Sequence, residues 1–253
     1  MNKTKIFLSI IGLFVLIFCI SQPSEKAISN SIETQCAPIP ENLVFWLRAE
    51  NNANDFFRVH DGILNGDTIF SAGKVGAAFE FDGDGDFVLI PYSEDLPFGS
   101  DPRTIEMWIY SVSDSWLRDY RSPFFMGSGN FHNAFGIDFD IYPTLQFLTW
   151  ADDIYISTDS EQEGWFHIAM VYDGDTLLSA YINGVLEDSL ELSDILDTTF
   201  SDIFIGSGID SHSIPTYHVG KIDEISMYNR ALSTEEILSI YNAGSSVRCS
   251  SLG

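Results

Sequence analysis

From Leu43 onward the chain alternates apolar and polar positions in short bursts, each closed by Gly, Asp, Pro or Asn. A period of two marks a strand with one face buried. Residues Thr104 to Tyr110 show it plainly: Ile105, Met107 and Ile109 fall on one side, Glu106, Trp108 and Tyr110 on the other. The same reading predicts strands over Leu43–Leu47, Val75–Phe81, Phe87–Ile90, Phe135–Phe139 and Leu145–Trp150. It continues with Asp153–Ser157, Trp165–Tyr172, Leu177–Ile182, Ile203–Gly206 and Gly220–Tyr228. Between 75–81 and 87–90 the run Asp82, Gly83, Asp84, Gly85, Asp86 predicts a tight hairpin turn with both glycines at positive φ. One segment has helical character. Ser233 followed by Glu236 is a capping box, Ile237, Leu238 and Tyr241 form an apolar stripe, and Gly244 is placed to end it. Many short strands, one helix, no internal repeat and no linker predict a single all-β domain over residues 43–249, a sandwich or barrel.

The segments before this domain read differently. Lys3 and Lys5 precede an apolar run from Ile6 to Ile20, interrupted by Ser9 and Gly12. A basic start and an apolar stretch of this length predict a secretory signal over residues 1–21. Three exits stay open: cleavage before Gln22, lipidation of Cys19, which ends a lipobox-like Leu16–Cys19 run with Phe18 in place of a small residue, or a retained anchor. Cleavage is the favoured one, since a span needs about 20 apolar residues. Residues 22–42 are polar, carry prolines and read as a flexible tether.

Charge narrows the partners. The 253 residues hold 12 Lys or Arg against 37 Asp or Glu, a net charge of −25. Such a polyanion repels nucleic acid and anionic lipid, which excludes both as natural partners. With 45% hydrophobic and 14% aromatic residues the chain has ample material for a core. Loss of the first 21 residues leaves two cysteines, Cys36 and Cys249, near opposite ends of the domain. In an oxidising compartment they are expected to pair, the alternative being two free thiols.

Catalytic and metal motifs are scarce. Asp82, Asp84 and Asp86 have the spacing that opens an EF-hand loop, but Phe87 and Ser93 stand where that loop needs Gly and Glu. Glu106 stands alone in its strand, and Asp223 and Glu224 are neighbours that a regular strand turns to opposite faces. The five histidines lack metal-ligand spacing, and His167 within its strand reads as structural. Trp116 and Tyr120, in the polar segment SDSWLRDYR, are candidates for a sugar-stacking platform. Trp46, Trp108 and Trp165 are expected in the core.

Taken in order, several segments resemble a laminin G-like jelly roll of the concanavalin A-like lectin/glucanase superfamily. They are LVFWLRAENNAND (43–55), GKVGAAFEFDGDGDFVLIP (73–91), RTIEMWIY (103–110), GWFHIAMVYDGDTLLSAYINGVL (164–186), IGSG (205–208) and VGKIDEISMYNRALSTEEILSIYNAG (219–244). The resemblance implies two antiparallel sheets packed face to face, extracellular binding of glycans or proteins, and often a structural calcium. A Cys36–Cys249 bridge suggests that strand 43–47 lies antiparallel to strand 220–228. The loop Glu50 to Asp55 then approaches Asp223, and family members often place calcium there, with Glu50, Asp55 and Asp223 as its ligands here. The competing reading makes Asp55 a turn cap and Asp223 a hydrogen-bonded strand residue. Hydrolase relatives carry a Glu-x-Asp-x-x-Glu run on one strand, and this sequence has none.

The sequence therefore reads as a secreted or cell-surface, monomeric, non-catalytic module of lectin or adhesion type, stabilised by Ca²⁺ and binding a glycan or an extracellular protein. Two alternatives stand beside it: a divergent glycoside hydrolase, and a spacer domain without a ligand.

Overall fold

The computed structural model describes residues 39–111, 121–139, 144–158, 164–210 and 212–244. Cys19, Cys36, Cys249, Trp116 and Tyr120 lie outside them. All described residues fall within one compact unit, Cys36–Gly253.

Among the described residues, seventeen strands and one helix follow one another. They are β1 (Leu43–Leu47), β2 (Ile63–Asn65), β3 (Ile69–Ala72), β4 (Ala77–Asp82), β5 (Phe87–Ile90), β6 (Arg103–Ser111), β7 (Arg121–Gly127), β8 (Ala134–Phe139) and β9 (Thr144–Leu148). Then come β10 (Ile154–Ser157), β11 (Gly164–Tyr172), β12 (Leu177–Ile182), β13 (Val185–Glu191), β14 (Ile203–Ile205), β15 (Ser207–Ile209), β16 (Pro215–Tyr217), β17 (Val219–Tyr228) and α1 (Thr234–Ala243). One sheet has eight strands in the order β13-β12-β11-β6-β17-β4-β3, with β1 also on β17. The other has seven, β10-β9-β8-β7-β14-β5-β2, and β15 with β16 forms a small hairpin. All pairings are antiparallel, and β1 lies against the end of β17 with Leu47 opposite Ile225. Among the described residues no helix is long and apolar enough to cross a membrane.

The core fills the space between the two sheets. Phe79, Phe81, Ile105, Met107 and Ile109 of the larger sheet meet Phe124, Met126, Phe135, Ile137 and Phe147 of the smaller one in a single buried cluster. The alternation of β6 is what sends its isoleucines and Met107 inward and leaves Glu106, Trp108 and Tyr110 on the outer face. α1 packs on that outer face, where Ile237 and Ile240 join Ala169, Val171, Tyr181 and Tyr228 in a second apolar cluster. Both halves of its capping box form between Ser233 and Glu236, and Gly244 at φ 52° ends it. Its buried stripe is Ile237 and Ile240, whereas Leu238 points outward at the helix surface.

Two sequence expectations change. The run 82–86 is not a hairpin: β4 belongs to the eight-stranded sheet and β5 to the seven-stranded one. The turn is an arch between sheets, with Gly83 at φ 90° and Gly85 at φ 86° as expected. Asp86 shapes it, its carboxylate accepting the amides of Asp67 (2.7 Å) and Asp82 (3.3 Å). Trp165 is not in the core but partly exposed, while Trp46 and Trp108 are buried.

Candidate functional site

The outer face of the eight-stranded sheet carries a transverse row of side chains set by register alone. Trp165 on β11 is opposite Tyr110 on β6, Tyr110 is opposite Lys221 on β17, Lys221 is opposite Glu80 on β4, and Glu80 is opposite Ile69 on β3. Directly opposed residues share a face, so five strands contribute one line of contacts. The rings of Tyr110 and Trp165 meet edge to face at 5.5 Å. The Lys221 ammonium sits 4.0 Å from a Glu80 carboxylate oxygen and 5.7 Å from the centre of the Tyr110 ring. It also donates to the carbonyl of Ala72. Gly220, next to it, has φ 133°, and a Cβ there would stand 2.5 Å from the carbonyl oxygen of Tyr110. The close passage of β17 against β6 therefore requires glycine.

Beside this row opens a cleft of about 400 Å³, lined among others by Asp67, Glu80, Asp82, Asp86, Tyr110 and Lys221. Among the described residues, Asp67, Asp82 and Asp86 are the group of three possible ligand side chains whose oxygens lie within 4.8 Å of one another. Burial raises the pKa of the Asp86 carboxyl, and the charges of Asp82 and Asp67 push it further up against the two amides that hold it. An aromatic wall, a cation and several acceptor oxygens around an open volume are the groups that grip a sugar: rings cover its C–H face and carboxylates accept its hydroxyls.

The residues expected to hold calcium are distributed differently. Glu50 and Asp223 converge on one turn, Glu50 accepting the amide of Ala77 (3.3 Å) and Asp223 that of Val75 (2.9 Å). Asp55 is apart from them. Its carboxylate is buried and accepts three amides, Trp46 at 2.9 Å, Val59 at 3.1 Å and His60 at 3.3 Å. That is the chemistry of a loop cap, and oxygens already facing N–H donors are poor partners for a cation. Glu50, Asp55 and Asp223 do not form one cage. Asp55→Ala is expected to cost about 3 kcal/mol by stranding three amides, equally in EDTA and in calcium. Thermal melts of the variant in both buffers check this.

β17 departs from a regular strand at this place. Asp223 is opposite Trp108 and Ser226 opposite Glu106, so two residues face one on β6, and Glu224 takes φ 55°. Ile222 and Ile225 both enter the core, which leaves Asp223 and Glu224 together on the outer side. Adjacency did not separate these two carboxylates, because a bulge overrides alternation. Each is nevertheless occupied. Glu224 accepts the Trp46 indole N–H (3.0 Å), and Glu106 on the next strand lies 2.9 Å from the ring nitrogen of His167, all of them buried. Burial pushes Asp223 up to about 7, with Glu224 adding to the rise against the amides of Val75, Glu224 and Lys74. These acids sit under Lys74, Trp108 and Tyr241, where the Trp108 ring receives the Lys74 ammonium at 3.9 Å and stacks on Tyr241. Their oxygens are engaged by the Val75 amide, the Trp46 indole and the His167 ring.

A laminin G-type family model, described as the concanavalin A-like lectin/glucanases superfamily, matches residues 82–238. The chain belongs to this superfamily. Solved structures share the fold at low identity. The binding domain of botulinum neurotoxin serotype D is similar with a TM-score of 0.59 and 14% identity, over 79% of this chain and 51% of that one. The binding domain of botulinum neurotoxin DC in complex with SialylT has a TM-score of 0.63 at 16% identity, over 80% and 52%. Domain 4 of an extracellular GH43 arabinanase from Geobacillus stearothermophilus, in complex with arabinotriose, has a TM-score of 0.59 at 17% identity, over 83% of this chain and 100% of that domain. The chain thus spans about half the length of the toxin binding domains. At these identities the likeness is one of fold. No curated protein matches the sequence.

Proposed function

We propose that this jelly roll is a non-catalytic carbohydrate-binding module that takes a sugar in the cleft beside Tyr110. The transverse row Trp165–Tyr110–Lys221–Glu80–Ile69 carries the reading. It sets an aromatic pair, a donor and an acceptor in line at the mouth of a cleft of about 400 Å³. A sugar ring stacks on Tyr110, Trp165 beyond it meets the next residue along the row, Lys221 donates to a ring or hydroxyl oxygen, and Glu80, Asp67 and Asp82 accept hydroxyls. Support also comes from the fold's neighbours, which include a domain complexed with arabinotriose. Non-catalysis is supported by the chemistry: a glycosidase needs an acid and a second carboxylate on either side of the bond, about 5–9 Å apart. Here three of the cleft carboxylates, Asp67, Asp82 and Asp86, crowd within 4.8 Å of one another, Glu80 is paired with Lys221, and Glu106, Asp223 and Glu224 are buried.

Export through residues 1–21, a cell-surface or secreted location and the Cys36–Cys249 bridge belong to the same proposal. Calcium, carried by the family resemblance, is kept apart from the binding step. A resident ion would raise the melting temperature by roughly 5–10 °C over EDTA, and an unchanged curve removes it.

The cleft is tested by native gel electrophoresis with soluble polysaccharides cast in the gel. Retardation in at least one of them is expected, with Tyr110→Ala weakening it by about tenfold. Wild-type mobility that no polysaccharide alters, or release of new reducing ends, overturns the reading.

A further inference from the structure

A second set of exposed rings lies away from this cleft, on the loops that join β5 to β6 and β13 to β14. Tyr92 and Phe200 are 43% and 67% exposed, and their ring centres are 5.6 Å apart at 64°. Both rest on the buried ring of Phe98, each at 5.6 Å. Two aromatic faces thus form an open corner with a buried aromatic floor. Nine of the 17 described phenylalanines are buried, whereas Tyr92 and Phe200 keep a large part of their rings in water.

The corner is built rigidly. Gly99 and Thr198 exchange two backbone hydrogen bonds (2.9 and 3.1 Å), tying the two loops together. The buried Arg103 guanidinium donates to the carbonyls of Pro97, Gly99 and Asp101 and to the hydroxyl of Thr198. Asp202 accepts the amide of Tyr92 at 2.9 Å. The β7–β8 turn is bonded to the same loop through Asn133 and Asp197, and carries Phe131 at 81% exposure. Ordering costs little on binding when loops are braced beforehand.

Charge selects the ligand. Residues 91–102 and 192–202 contain Glu94, Asp95, Asp101, Asp194, Asp197 and Asp202 and no Lys or His; of the neighbouring bases, Arg103 is buried and so is His60, which lies 3.2 Å from Asp95. Nucleic acids, sulfated or carboxylated glycans and anionic lipids are repelled. Two rings rimmed by acceptor oxygens match one or two sugar residues, far below the roughly 800 Å² per side that a stable protein partner covers.

We propose that Tyr92 and Phe200 form a second carbohydrate-binding platform, specific for neutral glycans and independent of the Tyr110 cleft. One sugar residue lays its C–H face on one ring and the next meets the other ring, turned by 64°, while Asp95, Asp202 and neighbouring hydroxyls accept O–H groups.

The test uses the full chain in native gels containing linear arabinan, xyloglucan, mixed-linkage β-glucan or galactomannan, with polygalacturonate as the anionic control and polylysine as a basic polypeptide probe. Tyr92→Ala and Phe200→Ala alter exposed rings and leave Phe98 in place; circular dichroism and melting confirm that both variants fold. Expected is retardation by a neutral polysaccharide and none by polygalacturonate, with each variant lowering apparent affinity by about tenfold. Tyr110→Ala leaves this contribution intact. Retardation that Tyr110→Ala abolishes and that both platform variants retain overturns the inference while sparing the cleft. Retardation lost only in the platform variants upholds the inference and removes the cleft. A response to polylysine alone overturns it in favour of a basic protein partner, and no response at all removes both sites.

Discussion

Arg103→Leu is expected to lower unfolding stability by about 3–5 kcal/mol, the largest single effect of any substitution considered for this domain. The side chain is fully buried between the loops 97–101 and 198, and donates to three carbonyls and one hydroxyl. Its charge is shared with the rings of Phe135 at 4.8 Å and Tyr172 at 5.2 Å. Burial lowers its pKa to about 10, so it stays protonated at neutral pH. Leucine fills part of the space but supplies no donor, stranding four acceptors, each worth about 1 kcal/mol or more. Arg103→Lys keeps the charge but cannot fork between Pro97, Gly99 and Asp101, so it recovers less than half of the loss. Guanidinium titrations of the three proteins measure the differences. A loss below about 1 kcal/mol in Arg103→Leu would show that the two loops do not depend on this brace.

The second large effect is a pH dependence centred on Asp223. Its folded value of about 7 lies above the ordinary carboxylate value of 3.8. Between those limits the folded state keeps a proton that the unfolded chain has shed, so stability declines as pH rises through the window. The decline approaches about 4 kcal/mol. Glu224 beside it and the Glu106–His167 pair on the next strand share the field, so the clean quantity is a difference. Asp223→Asn keeps an acceptor for the amide of Val75 and removes the titration. The variant is expected to match wild type near pH 4 and to exceed it in stability above pH 7. Parallel urea titrations from pH 4 to 8 check this, and difference curves that stay flat would refute it.

How much of this was legible in the sequence depends on whether the signal was local. β6 announces itself because one face carries the isoleucines and Met107, β1 and β11 because they are short runs of large apolar residues, and α1 because a cap marks its start. β7 gave no such sign: Ser122 to Met126 are buried throughout, so no alternation survives. β13 failed in the opposite way, being almost wholly exposed at a sheet edge. The arch at 82–86 looked like a hairpin because both consist of two apolar runs around glycines. Only the partners β17 and β14, more than a hundred residues away, distinguish them. The candidate cleft was illegible for the same reason. Ile69, Glu80, Tyr110, Trp165 and Lys221 carry no shared motif, and register alone aligns them. Trp165 read as core because its strand is apolar, yet it sits at the end of that row. Asp55 carries both a metal-ligand and a turn-cap reading in the sequence, and the three amides on its carboxylate fit the turn cap.

Nitrogen-15 NMR of the wild-type protein, titrated with the neutral oligosaccharide that its best polysaccharide yields, tests the binding reading most directly. Saturable shifts are expected at the backbone amides of Tyr110, Lys221 and Glu80 and at the Trp165 indole N–H, with the oligosaccharide recovered intact. Saturation that leaves all four unmoved, or cleavage of the sugar during the titration, would contradict a non-catalytic binding cleft beside Tyr110.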